Sequence, residues 1–118
     1  MRKVTRAEVD QAIEAFQMSP QNRDALGVAV RKSLEWFAQQ NPGRSVEVRV
    51  PPYLAVQILG GAAHRRGTPP AVVEMSPEVW LDLFTQQLSW TLALKNGQVS
   101  ASGARSDLGS VLSPQAEQ

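Results

Sequence analysis

The most charged cluster in the sequence is His64-Arg65-Arg66, and Gly67 follows it directly. Two guanidinium groups next to the backbone N–H groups near a glycine could bind an anion. Alternatively, the cluster is a hydrated loop whose arginines pair with acidic side chains of neighbouring strands. Most charge clusters in loops are simply hydrated in this way. The sequence leaves both interpretations open, so Arg65 and Arg66 are candidate anion contacts. His64 has no second histidine or thiol nearby in the sequence with which to bind a metal.

Glu47 and Glu74 are the carboxylates that could act as an acid–base pair, because each falls in a predicted strand. Arg49 lies two residues from Glu47 and so on the same face of its strand, which favours ion pairing over catalysis. Arg49 or Arg65 could also hold the acidic head of a ligand.

Neither the serines nor the glycines form a known catalytic motif. Ser100, Ser102 and Ser106 lie near Gly103 but do not form a Gly-x-Ser-x-Gly elbow. The segment 66–70 is rich in glycine and proline but lacks the Gly-Lys-Ser/Thr ending of a phosphate loop, so a rigid extended segment is the better account. We therefore predict no catalytic residues and no enzyme activity.

Composition excludes further classes of function. Twelve Lys and Arg against eleven Asp and Glu give a net charge of +1, which argues against a nucleic-acid-binding domain. The absence of cysteine excludes disulfides and thiolate metal sites, and a single histidine excludes a multi-histidine site within one chain. No metal and no cofactor are expected.

The N-terminal sequence is not that of a signal peptide, because Arg6, Glu8 and Asp10 interrupt any hydrophobic stretch. No run approaches the ~18 apolar residues needed to span a membrane. The expected location is the cytoplasm.

The elements that position these residues follow from caps and periodicity. Thr5 and Glu8 form a capping box for a first helix, and Ser19-Pro20 predicts the start of a second helix that ends at 41–43. Period-two patterns predict strands at 46–50, 53–59, 71–75 and 98–102. Further helices are predicted from Ser76-Pro77 to Leu88, from Ser89 to Leu94, and as one turn from Ser106-Asp107 to Leu112.

These elements predict one α+β domain over residues 1–118, with a four- or five-stranded, mostly antiparallel sheet and helices on one face. Residues 1–43 would hold the N-terminal helices, 44–112 the sheet and C-terminal helices, and 113–118 a frayed tail. The predicted buried face of the sheet consists of Val46, Val48, Val50, Val56, Val73, Val99 and Ala101. The predicted opposite face carries Glu47, Arg49, Gln57 and Glu74.

Four segments also carry a resemblance: RSVEVRVPPYLAVQ, HRRGTPPAVVEMSPEVWLDL, LSWTLALKNG and VSASGARSDL. Through them, residues 44–112 resemble bacterial members of the sterol carrier protein superfamily. They are also similar to a domain fused to mycothiol-dependent maleylpyruvate isomerases. The sterol carrier resemblance implies an apolar cavity between sheet and helices, and non-enzymatic binding of a lipid- or sterol-like ligand.

The residues expected to line such a cavity come from the third strand and the helix that follows it. An apolar stripe at helical spacing is usually core, but in this fold the core-facing stripe would also line the cavity. The predicted lining is Val73, Met75, Trp80, Leu83, Phe84 and Leu88. An acidic head held at Arg49 or Arg65 would favour fatty-acyl ligands over neutral sterols.

The second hypothesis is an accessory protein-interaction or dimerisation module. Trp36 lies off the apolar face of its predicted helix, so partial exposure there would mark a partner surface.

Overall fold

The computed structural model describes residues 3–60, 71–103 and 107–112. These residues form four helices and one four-stranded sheet, which confirms the α+β prediction. In chain order the elements are α1 (Arg6–Met18), α2 (Arg23–Gln40), β1 (Val46–Val50), β2 (Leu54–Ile58), β3 (Ala71–Met75), α3 (Pro77–Phe84), α4 (Trp90–Lys95) and β4 (Val99–Ser102).

The starts of the N-terminal helices follow local hydrogen bonding. The predicted capping box of α1 is present: Glu8 N–H donates to Thr5 Oγ1 at 3.1 Å, and Thr5 N–H donates to Glu8 Oε1 at 3.0 Å. The predicted start of α2 at Ser19-Pro20 is wrong. Ser19 is occupied as the C-cap of α1, and Asn22 caps α2 instead through its side-chain oxygen.

The predicted starts of α3 at Ser76 and of α4 at Ser89 are confirmed. The predicted extension of α3 to Leu88 is wrong, since the helix ends at Phe84. Gln86 adopts a positive φ of 68°, and the N–H groups of residues 87 and 88 turn back to the Asp82 carbonyl. The predicted single helical turn up to Leu112 is present in its hydrogen bonds, since the Leu108 carbonyl accepts the N–H groups of Val111 at 3.2 Å and Leu112 at 3.0 Å.

The sheet has the strand order β2-β1-β3-β4. β1 pairs antiparallel with β2, β3 pairs antiparallel with β4, and the central pair β1–β3 is parallel. Val48 is opposite both Val56 and Val73, so these three valines lie on one face of the sheet, the valine face. Because side chains alternate along a strand, Glu47, Arg49, Gln57 and Glu74 all lie on the other face, as predicted.

The core lies between the valine face and the helices. α2 contributes Leu26, Val30, Leu34 and Phe37, all buried, and α3 contributes Trp80. None of the helices in the described ranges is long and apolar enough to cross a membrane.

Candidate functional site

Five of the six predicted lining residues are buried in this core: Val73, Met75, Trp80, Leu83 and Phe84. Trp80 packs edge-on against Phe37, with ring centroids 5.2 Å apart, and is tilted against Phe84 at 5.6 Å. Its Nε1–H donates to Ser33 Oγ at 2.8 Å. The surroundings of Trp80 are thus occupied by helix-to-helix packing.

Leu83 and Leu88 reach a second environment, an open groove of about 600 Å³ where the end of α3, α4 and residues 107–112 meet. The structure brings these two predicted residues together with several that the sequence interpretation did not single out. Among the described residues, the lining is Leu83, Leu88, Ser89, Trp90, Thr91, Leu94, Asp107, Gly109, Ser110 and Leu112.

Two features hold residues 107–112 against α3 and α4 to form this groove. Gln86 Nε2–H donates to the Leu112 carbonyl at 2.7 Å, which ties the turn after α3 to the far end of the segment. The Leu108 side chain is fully buried and anchors the segment in the core. Asp107 Oδ1 accepts the Gly109 N–H at 2.8 Å and shapes the turn.

Trp90 is the unusual member of the lining. Only 7% of it is exposed, and its Nε1 is the one buried side-chain nitrogen or oxygen in the described residues that has no hydrogen-bond partner. A buried N–H without an acceptor lowers the stability of the folded state by about 1–3 kcal/mol. Each such group in a folded protein therefore calls for a structural or functional explanation. The Ser89 cap predicts that Trp90 opens α4, but it does not predict the burial of the indole nitrogen.

Gly109 lies against the pyrrole edge of the Trp90 ring. A Cβ built on Gly109 would be 3.2 Å from Trp90 Cδ1, the ring carbon bonded to Nε1, and 3.0 Å from Asp107 Oδ1. The missing side chain at residue 109 therefore lets the turn lie directly against the ring edge next to the unpartnered nitrogen.

The charged candidates lie elsewhere. Arg49 is on the outer face of the sheet, where its guanidinium lies 2.8 Å from Glu47 Oε1 and 4.0 Å from Glu74 Oε1. An anion at Arg49 would compete with both carboxylates. Arg65, Arg66 and the rest of the 66–70 segment lie outside the described residues, as does His64.

We expect the Arg49→Gln variant to change the free energy of unfolding by less than about 1 kcal/mol, because exposed ion pairs contribute little. Urea unfolding at low and high salt measures this, and any difference should shrink as salt rises. A loss above about 2 kcal/mol would show that these charges hold the sheet together.

Trp36 is partly buried rather than freely exposed. Its ring packs edge-on against Phe84 at 6.0 Å, and the Arg6 guanidinium lies 4.8 Å from its centroid. The more exposed apolar side chains near the groove are Leu92 and Leu94 of α4, at 46% and 40%.

Within the described ranges, no three His, Cys, Asp or Glu side chains come close enough to hold a metal ion. A protein-family model described as "bacterial SCP ortholog" matches residues 22–114, which run from α2 through all four strands to the groove. No curated protein matches the chain.

Proposed function

The chain belongs to the family of bacterial SCP orthologs, which is sterol carrier protein-like, and we propose that it binds and carries a small apolar or amphipathic ligand without a chemical step of its own. The proposal covers lipid- or sterol-like ligands and places the protein in the cytoplasm.

The groove between α3, α4 and residues 107–112 is the observation that carries this proposal. Leu83, Leu88, Leu94 and Leu112 supply apolar contacts, and hydroxyl groups and one carboxylate are also in its lining. Ligand sites are typically apolar with a few placed polar groups. In this proposal Leu88 contacts the ligand directly, and the buried Leu83 forms the floor of the groove. The other predicted residues form the packed layer behind them: Val73, Met75, Trp80 and Phe84.

The energetics allow useful affinity from a modest contact. Removing about 400 Å² of apolar surface from water at ~25 cal/mol per Å² contributes about 10 kcal/mol before ordering costs. Association itself costs at least ~4 kcal/mol, which leaves about 6 kcal/mol and a Kd of about 40 μM for a single acyl chain in the groove.

The first binding prediction uses two leucines of the same helix. Leu94 lines the groove and Leu92 does not, although both are similarly exposed. We expect Leu94→Glu to weaken binding of dodecan-1-ol at least tenfold, because it places a charge in the apolar lining. Leu92→Glu adds the same charge to the same helix and should change the affinity less than twofold.

Tryptophan fluorescence with each ligand added stepwise measures this, using dodecan-1-ol, dodecanoic acid and cholesterol as probes. Calorimetry provides a second reading that does not depend on tryptophan. Absence of saturable binding of all three probes to the unmodified protein would contradict the carrier proposal. Equal losses in the two variants would place the ligand outside the groove.

The alternative function is an accessory interaction or dimerisation module. It is favoured by the exposure of Leu92 and Leu94, and by an outer sheet face that no element within the described ranges covers. Sedimentation at rising protein concentration tests self-association, and Leu92→Glu should weaken it. A strict monomer would remove the homodimer and leave only a separate protein partner.

A further inference from the structure

We propose that the groove selects ligands with an uncharged oxygen-bearing head: the head oxygen accepts a hydrogen bond from Trp90 Nε1, and Asp107 disfavours carboxylates. This inference rests on the proposed binding function and assigns its polar recognition. A fatty alcohol or ester fits the description, whereas a fatty-acid anion does not.

The first argument is the state of the indole nitrogen. Nε1 of Trp90 is buried and lacks an acceptor, while Trp90 lines the groove. By contrast, Trp80, which is also buried, satisfies its Nε1 internally through Ser33 Oγ. A ligand oxygen that reaches Trp90 would repay the cost of the unmade hydrogen bond, because a neutral N–H favours any oxygen lone pair.

The second argument is access. Gly109 lies against the ring edge that carries Nε1 with backbone atoms alone, because it has no side chain. A larger residue at 109 would place its Cβ 3.2 Å from the adjacent ring carbon, inside normal contact distance. A head group that binds Nε1 therefore has to move only the backbone of this turn aside, and no side chain of residue 109.

The third argument is charge. Asp107 is the one charged residue in the lining contributed by the described residues, and no described Lys or Arg accompanies it. Asp107 Oδ1 and the ring edge of Trp90 both lie close to Gly109, so a head group bound to Nε1 would lie near the carboxylate. Two carboxylates in one partly enclosed site repel each other, while a hydroxyl can donate to Asp107 as it accepts from Trp90.

The test compares probes of matched chain length: dodecan-1-ol, methyl dodecanoate, dodecanoic acid at neutral pH and tridecane, measured by calorimetry. The unmodified protein should bind the alcohol at least tenfold more tightly than the acid. In ¹H–¹⁵N spectra, the indole N–H signal absent from Trp90→Phe should shift downfield with the alcohol and hardly at all with tridecane.

Three variants separate the roles of the residues. Trp90→Phe removes some apolar contact for every probe, but it should weaken binding of the alcohol about fivefold more than binding of tridecane. It removes no hydrogen bond from the free protein, since Nε1 makes none. Asp107→Asn keeps the oxygen that caps Gly109 N–H and should raise the affinity for dodecanoate at least fivefold. Gly109→Ala should weaken binding of the alcohol more than binding of tridecane.

The outcomes distinguish a failure of the head-group selectivity from a failure of the proposed carrier function. If no probe binds, the carrier function fails and this inference fails with it. If probes bind in the groove but the acid binds as tightly as the alcohol, or Trp90→Phe affects alcohol and tridecane equally, the selection by Trp90 and Asp107 is wrong while the carrier function stands.

Discussion

The Trp80→Ala variant is expected to lose about 3–5 kcal/mol of the free energy of unfolding, the usual cost of truncating a buried tryptophan. Trp80 is fully buried, and its ring joins α3 to Phe37 of α2. Alanine would leave a cavity between the two helices and remove the partner of Ser33. Urea unfolding followed by circular dichroism gives the loss directly.

A double-mutant cycle separates the hydrogen bond from the packing. Ser33→Ala alone should cost about 1–3 kcal/mol, because it leaves the buried Trp80 N–H without an acceptor. In the Trp80→Phe background the same change should cost clearly less, since Ser33 Oγ–H already donates to the Ala29 carbonyl at 2.6 Å and no indole N–H remains.

Equal costs of Ser33→Ala in the two backgrounds would show that this hydrogen bond contributes nothing, and a Trp80→Ala loss below about 1 kcal/mol would refute the packed interior around Trp80. Trp80→Phe also bears on ligand binding. If the ligand occupies the groove at Trp90, the Trp80→Phe variant should bind with nearly unchanged affinity.

The Gly43→Ala variant is expected to lose more than about 2 kcal/mol, by a different mechanism. Gly43 has a φ of 149°, and a Cβ there would lie 1.9 Å from the carbonyl carbon of Leu59. The close approach is held in place because Leu59 N–H donates to the Asn41 carbonyl at 2.8 Å. An added methyl group would have to displace backbone, which no rotamer change can relieve.

Gly97→Ala is the matched control, because Gly97 also has a positive φ, 74°, but no atom of the described residues lies within 4 Å of a Cβ built there. It should lose only about 1 kcal/mol, the cost of the left-handed conformation alone. Thermal or urea unfolding of both variants measures the difference. A Gly43 variant no less stable than the Gly97 variant would mean that the loop adjusts freely around Leu59.

Local patterns in the sequence determined the faces of the sheet and most helix starts. The alternation of Val46, Val48 and Val50 with Glu47 and Arg49 assigns each side chain to a face, because a strand has a fixed period of two. Thr5, Ser76 and Ser89 predict helix starts correctly, since each cap bonds to an N–H only three residues away. The helix start predicted at Ser19 is wrong because Ser19 is the C-cap of the preceding helix.

The groove and the roles of the tryptophans were decided only by the tertiary structure. The parallel pairing of β1 with β3 and the bond from Gln86 to Leu112 join residues far apart in the chain, and no local pattern encodes such pairs. Trp80 and Trp90 each lie in a serine-capped helix, so local sequence treats them alike. Folding gives one indole nitrogen a partner in Ser33 and leaves the other without one, because hydrogen bonding of a buried group depends on which distant residues pack around it.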